Sequence, residues 1–67
     1  MRKATKIKIK RLEKGLSQLE LATELGITQT LMSIFESGRA IPPKDLLEKM
    51  AEILNCSPED LLEGGGK

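Results

Sequence analysis

Histidine, tryptophan and tyrosine are absent from this 67-residue chain, and cysteine and phenylalanine occur once each. A catalytic triad built on histidine is therefore excluded, and a zinc site of histidine and cysteine ligands has nothing to build from. The lone Cys56 rules out an intrachain disulfide and suits a reducing compartment. No apolar run is long enough to span a bilayer, and the basic N-terminus lacks the apolar core of a signal peptide, so a cytoplasmic protein without a membrane partner is expected. A chain of this length makes one small domain with no room for an elaborate cleft. Glu59 and Asp60 read as acids at a helix start, since no titratable partner accompanies them. Neither an enzyme nor a cofactor, metal or small-molecule ligand is expected.

What is present is charge, unevenly spread. The net charge is only +1. Residues 1–14, however, hold Arg2, Lys3, Lys6, Lys8, Lys10, Arg11 and Lys14 against Glu13 alone, while the remainder carries four basic and nine acidic side chains. A basic arm on a mildly acidic body is a directional field that suits a polyanion. For Arg2 and Lys3 a solvated terminus is an equal reading. For Lys8, Lys10 and Lys14, nearer the helical body, phosphate contact is the favoured one.

Stop and start signals divide the chain into short helices. Thr5 can cap a first helix over residues 6–14 that Gly15 ends. Its opening Lys-Ile-Lys-Ile-Lys also alternates like a strand, and the helical pattern that follows favours helix. Ile7 and Arg11 then face inward at i, i+4. Pro42 and Pro43 forbid helix before them and permit it just after. A helix over residues 43–54 follows, with Leu47, Met50, Ala51 and Leu54 on one face. Ser57-Pro58-Glu59-Asp60 starts a last short helix over residues 58–63. Met32, Phe35 and Met50 are core at helical spacing, and Cys56 is a packing residue. Residues 1–5 are expected to form a flexible arm, 6–63 the domain and 64–67 a flexible tail.

The most informative run is residues 17–38, SQLELATELGITQTLMSIFESG. Ser17 with Glu20 makes a capping box, Leu21 and Leu25 share a face beside the small Ala22, and Gly26 ends that helix. Thr28 caps a second helix that Gly38 ends. Two short helices joined by a tight glycine turn describe a helix-turn-helix, whose second helix is free to enter a major groove.

Arg11, Gly15-Leu16-Ser17-Gln18, Leu21-Ala22, Leu25-Gly26-Ile27, Glu36, Gly38, Pro42, Leu47, Ala51, Leu54 and Leu61-Leu62 together resemble the Cro/CI-type (XRE family) helix-turn-helix domain of repressors. The likeness runs without a gap from Ile7 to Leu62. It implies an all-α, five-helix, lambda-repressor-like fold that binds double-stranded DNA as a transcriptional regulator, a repressor, with residues 28–37 in the major groove. By family position, Gln29, Thr30, Ser33 and Ile34 are the base-contacting candidates. Gln29 leads, because its amide pairs with adenine through two bonds. Gln18 and Arg39 match phosphate contacts, Gln18 also bracing its reading neighbour, and Lys44 is a further phosphate candidate. Arg11 and Glu36 match a structural ion pair. Such proteins bind as homodimers on palindromic operators, and Ile53, Leu61 and Leu62, with the loop before the fourth helix, are the expected dimer surface.

The chain departs from the family where Leu31, Ile34 and Ile41 stand in place of polar or basic residues. Thymine-methyl contact, local packing, or a protein-binding patch each account for them. The last would make the domain an antitoxin-like or adaptor module instead of a DNA reader.

Overall fold

The structure, a computed structural model, describes residues 5–62. The arm residues 1–4, including Arg2 and Lys3, and the tail at 64–67 lie outside the described residues.

Four α-helices follow one another: α1 (Lys6–Glu13), α2 (Gln18–Leu25), α3 (Gln29–Ser37) and α4 (Lys44–Leu54), with a 3-10 turn over Pro58–Leu61. Each of the first three begins where a hydroxyl can take an orphan backbone N–H. Thr5 accepts from Lys8, Ser17 from Glu20 and Thr28 from Leu31, and the Glu20 carboxylate returns to the Ser17 N–H at 2.7 Å. Helix α4 has no side-chain cap, because Pro43 occupies the position before it. Helix α1 settles the Lys-Ile-Lys-Ile-Lys ambiguity, for as a helix it buries both Ile7 and Arg11. A strand would turn Ile7 and Ile9 to the same side, whereas here Ile9 is exposed.

The fifth helix is shorter and tighter than the sequence suggests. Its start is as expected, with the Ser57 N–H donating to Asp60 at 3.1 Å. Only one 3-10 turn follows, ending at Leu61. Three residues per turn suffice to swing Leu61 inward, and so short a run gains nothing from an α-helical nucleus.

Helix α2 packs on α3, α1 bridges α3 and the 3-10 turn, and α4 closes the other side against α2 and the turn. Leu21, Met32, Met50 and Leu61 are the large side chains sealed at the centre. Burial of each is worth about 1.5–3 kcal/mol. Leu61 therefore belongs to the core and leaves the expected dimer surface. Ile53 and Leu62 are half-buried, packed against that core.

Candidate nucleic-acid interface

Helix α3 has two unlike faces. Met32, Phe35 and Glu36 point inward, while Gln29, Thr30 and Ser33 are exposed and Ile34 is half-buried. The outward residues fall at i, i+1 and i+4, one stripe of a 3.6-residue helix. Gly26 makes the turn that aims this stripe, with φ at +73°. The left-handed value lets α2 stop and the chain reverse within a few residues, at little cost only for a residue without a Cβ.

The charged residue buried on α3 is anchored from below. Arg11 Nε donates to Glu36 Oε2 at 2.6 Å and Arg11 Nη2 to Glu36 Oε1 at 3.2 Å. The third prong, Nη1, donates to the Leu16 carbonyl at 2.7 Å, which ties the loop before α2 into the same fork. Both side chains are nearly sealed from water, at 8% and 4% exposure. The Thr5 hydroxyl donates to the Glu36 backbone carbonyl at 2.8 Å, fastening the start of α1 to the end of α3.

From this anchor a polar chain runs outward. Gln18 Nε2 donates to Glu36 Oε1 at 3.3 Å, and Gln29 Nε2 donates to Gln18 Oε1 at 3.4 Å. The first residues of α2 and of α3 are thus linked to each other and to a fixed charge. The arrangement leaves the Gln29 carbonyl oxygen and its second amide hydrogen directed to solvent, which is the donor and acceptor pair a base edge needs.

At the far end of α3, the Ser37 hydroxyl donates to the Ile34 carbonyl at 2.8 Å and accepts from both Arg39 N and Arg39 Nε, at 3.4 and 3.3 Å. Ser37 is a positioning residue the sequence reading missed. Its signal was local, a hydroxyl two residues before an arginine at a helix end. Lys8, Lys14 and Lys44 are exposed. Lys10 is half-buried, lies 3.8 Å from Glu13 and shares a shallow depression with Ile9 and Asp60, on the side of α1 that meets the 3-10 turn. Cys56 lies near both, and burial first, then Asp60, raises its thiol pKa, with Lys10 opposing.

Ile41 borders an apolar cavity with Phe35, and neither Leu31 nor Ile34 lines it. Among the described residues no buried side-chain nitrogen or oxygen lacks a partner, no acidic or cysteine cluster could hold a metal ion, and no helix is long and apolar enough to cross a membrane.

Comparison with known proteins agrees with this geometry. The chain is 43% identical over 49 residues to the ImmF control region 10 kDa protein of Bacillus phage phi105, spanning 73% of this chain and 54% of that protein. Over 42 residues it is 41% identical to multiprotein-bridging factor 1 of Eremothecium gossypii, covering 63% of this chain and 28% of the relative. It thus spans about half the length of the first and under a third of the second. Among solved structures it is similar to SinR, a master regulator for biofilm formation, in complex with DNA. The TM-score is 0.76 at 36% identity, covering 85% of this chain and 95% of that one. It is similar also to a SinR and SinI protein complex, with a TM-score of 0.73 at 36% identity, covering 87% of this chain and 57% of that one. The helix-turn-helix family profile matches residues 7–61, and the chain belongs to the XRE type of that family.

Proposed function

We propose that this member of the XRE-type helix-turn-helix family binds double-stranded DNA sequence-specifically in the cytoplasm as a transcriptional regulator, a repressor, with α3 in the major groove. The observation that carries the reading is the polar chain from the buried Arg11–Glu36 pair through Gln18 to Gln29. A solvated glutamine has no use for such bracing, whereas a base reader gains by losing its rotamer freedom before it binds. In this reading Gln29, Thr30 and Ser33 meet base edges, and Ile34 meets a thymine methyl at the margin of the stripe. Lys8, Lys14, Arg39 and Lys44 neutralise phosphates, and Gln18 reaches a phosphate with the amide hydrogen that Glu36 leaves unused. The similarity to a SinR structure that contains DNA, over nearly all of that chain, supports the same docking.

One such domain makes few contacts, so two copies on a palindrome, with half-sites about 34 Å apart, complete the site. Selection of bound duplexes from a random pool tests this. A palindromic sequence should be enriched, and Gln29→Ala should relax preference at one base pair per half-site by about 1–3 kcal/mol. A pool that shows no enrichment at low salt overturns the reading.

The exposure of Leu31 and Ile41, 37% and 74%, favours a second reading as a protein-interaction module. Salt separates the two. Phosphate-driven binding weakens steeply, with a logarithmic slope of about −0.9 per phosphate contact, whereas binding through apolar side chains is little changed.

A further inference from the structure

The glutamine that heads α3 has a fixed polarity. The Glu36 carboxylate, paired with the Arg11 guanidinium, can only accept, so the Gln18 amide must turn Nε2 toward it, at 3.3 Å. Gln18 Oε1 is thereby left to face Gln29, and Gln29 must answer with Nε2, at 3.4 Å. Reversing either amide sets two acceptors against each other. A buried charge thus decides, through two side chains, which end of an exposed amide is oxygen and which is nitrogen.

The consequence lies at the base edge. One Nε2 hydrogen of Gln29 is occupied by Gln18, which leaves one hydrogen and the carbonyl oxygen for a ligand. Guanine presents two acceptors to the major groove, N7 and O6, whereas adenine presents the acceptor N7 beside the donor N6–H. An unbraced glutamine can point both amide hydrogens at guanine. The braced one cannot, because its oxygen would face O6. Adenine is matched at both atoms, and the match depends on N6: Gln29 Oε1 needs the hydrogen on that nitrogen that thymine leaves unused.

We infer that the domain senses the chemical state of this nitrogen, binding its site when the adenine met by Gln29 carries a free N6 amino group and releasing it when N6 is methylated. The inference deepens the reading of Gln29 as a base contact and rests on it. In a paired N6-methyladenine the remaining hydrogen bonds to thymine, and the methyl group takes the position facing the major groove. Gln29 Oε1 then meets carbon where it requires a donor, and the approach to N7 is crowded too. The side chain has no second arrangement to adopt, since turning its amide forfeits the bond to Gln18. Nor do its neighbours shelter a methyl group. Leu31 and Ile34 lie about 160° and about 140° round the helix from Gln29, and the residue one turn on, about 40° away, is Ser33. The ligand is therefore duplex DNA unmethylated at adenine N6, and adenine methylation turns binding off.

The test takes the duplex selected from the random pool, with the adenine located by the base pair at which Gln29→Ala relaxes preference. That duplex is synthesised with N6-methyladenine at this position of each half-site, and separately with N6-methyladenine in the flanking sequence. Each methylated half-site should weaken binding about tenfold or more, and the flanking methyl group should change nothing. Gln29→Ala should bind the methylated and unmethylated sites alike. In Gln18→Ala, where Gln29 is free to turn, the methyl penalty should shrink about two- to tenfold, and guanine at that pair should be refused less. Equal affinity for methylated and unmethylated sites overturns the inference and leaves the DNA reading standing. Tighter binding of the methylated site overturns it as well, and so does an equal penalty from the flanking methyl group. A penalty that persists in Gln29→Ala places the sensing elsewhere and overturns it, as does preference relaxed by Gln29→Ala at a G·C pair. A pool in which no duplex is enriched is a different result: it removes the DNA reading, and this inference with it.

Discussion

Arg11 and Glu36, 25 residues apart in the chain, meet in a two-pronged ion pair nearly closed to water, with 2.6 Å between Arg11 Nε and Glu36 Oε2. Their carboxylate also accepts from Gln18, so one charge serves both the packing of α1 on α3 and the order of the surface above it. Such a pair need not add net stability over hydrocarbon, because removing two charges from water costs about what their attraction returns. Breaking half of it is another matter.

Glu36→Gln should therefore cost about 3–5 kcal/mol by stranding the Arg11 guanidinium. A chain of this size is stable by only about 3–10 kcal/mol, so the variant should be partly unfolded at room temperature. Replacing both partners, Arg11→Met with Glu36→Leu, should recover most of the loss, less a penalty for the Leu16 carbonyl that Arg11 now serves. Urea denaturation of the two variants beside the parent chain checks this. A Glu36→Gln midpoint equal to that of the parent chain shows that the pair is not tightly desolvated.

How far this was readable from the chain depends on the range of the interaction. The starts and stops of α1 to α3 follow from Thr5, Ser17, Thr28, Gly26 and Gly38, because capping joins residues no more than four apart. Which of Leu61 and Leu62 turns inward was not readable. Periodicity needs several turns to set a phase, and the terminal segment has a single 3-10 turn whose phase is chosen by the α1 and α4 surfaces it meets. The cavity beside Ile41 was hidden for the same reason, being made by three segments that only tertiary packing brings together. The bracing of Gln29 by Gln18 was suggested only by family position, since nothing local to either glutamine marks it.

Two left-handed residues give opposite expectations. Gly26 has φ +73° with nothing within 4 Å of where a Cβ would stand, so Gly26→Ala meets strain without a clash. It should cost about 1 kcal/mol, a fall in Tm of roughly 4–8 °C. Asn55 adopts φ +58° without being glycine. Asn55→Gly should be neutral or raise Tm slightly, while Asn55→Ala lowers it. Thermal melts rank the three. An Asn55→Ala protein as stable as its parent contradicts the strained conformation.

The Cys56 thiol pKa is raised by burial and by Asp60. At neutral to mildly alkaline pH the folded chain should thus hold less thiolate than the unfolded one, and thiolate is the reactive form. Alkylation at pH 8 should be slower in buffer than in denaturing urea. The sign for stability follows: as pH rises past the ordinary thiol range the unfolded chain loses its proton first, so stability declines. Cys56→Ala should flatten that decline. Equal alkylation rates in the folded and unfolded chain count against the raised pKa.

Gln18 should act on base choice through Gln29, not only on affinity. Its bonds to Glu36 and Gln29, at 3.3 and 3.4 Å, are long and partly or fully exposed, and Glu36 Oε1 keeps its bond from Arg11 when Gln18 is removed. Gln18→Ala should therefore shift Tm by only a few degrees, whereas Glu36→Gln collapses it. On DNA, freeing the Gln29 side chain reinstates an ordering cost of about 0.5–1.5 kcal/mol on the correct base pair. The ratio between the preferred duplex and one altered at that pair should fall about two- to tenfold. In a Gln29→Ala background the same Gln18→Ala change should reduce affinity for both duplexes alike and leave the ratio where it was. That difference separates a residue that positions a reader from one that only touches phosphate. If Gln18→Ala alters the ratio equally in both backgrounds, Gln18 reads DNA independently of Gln29.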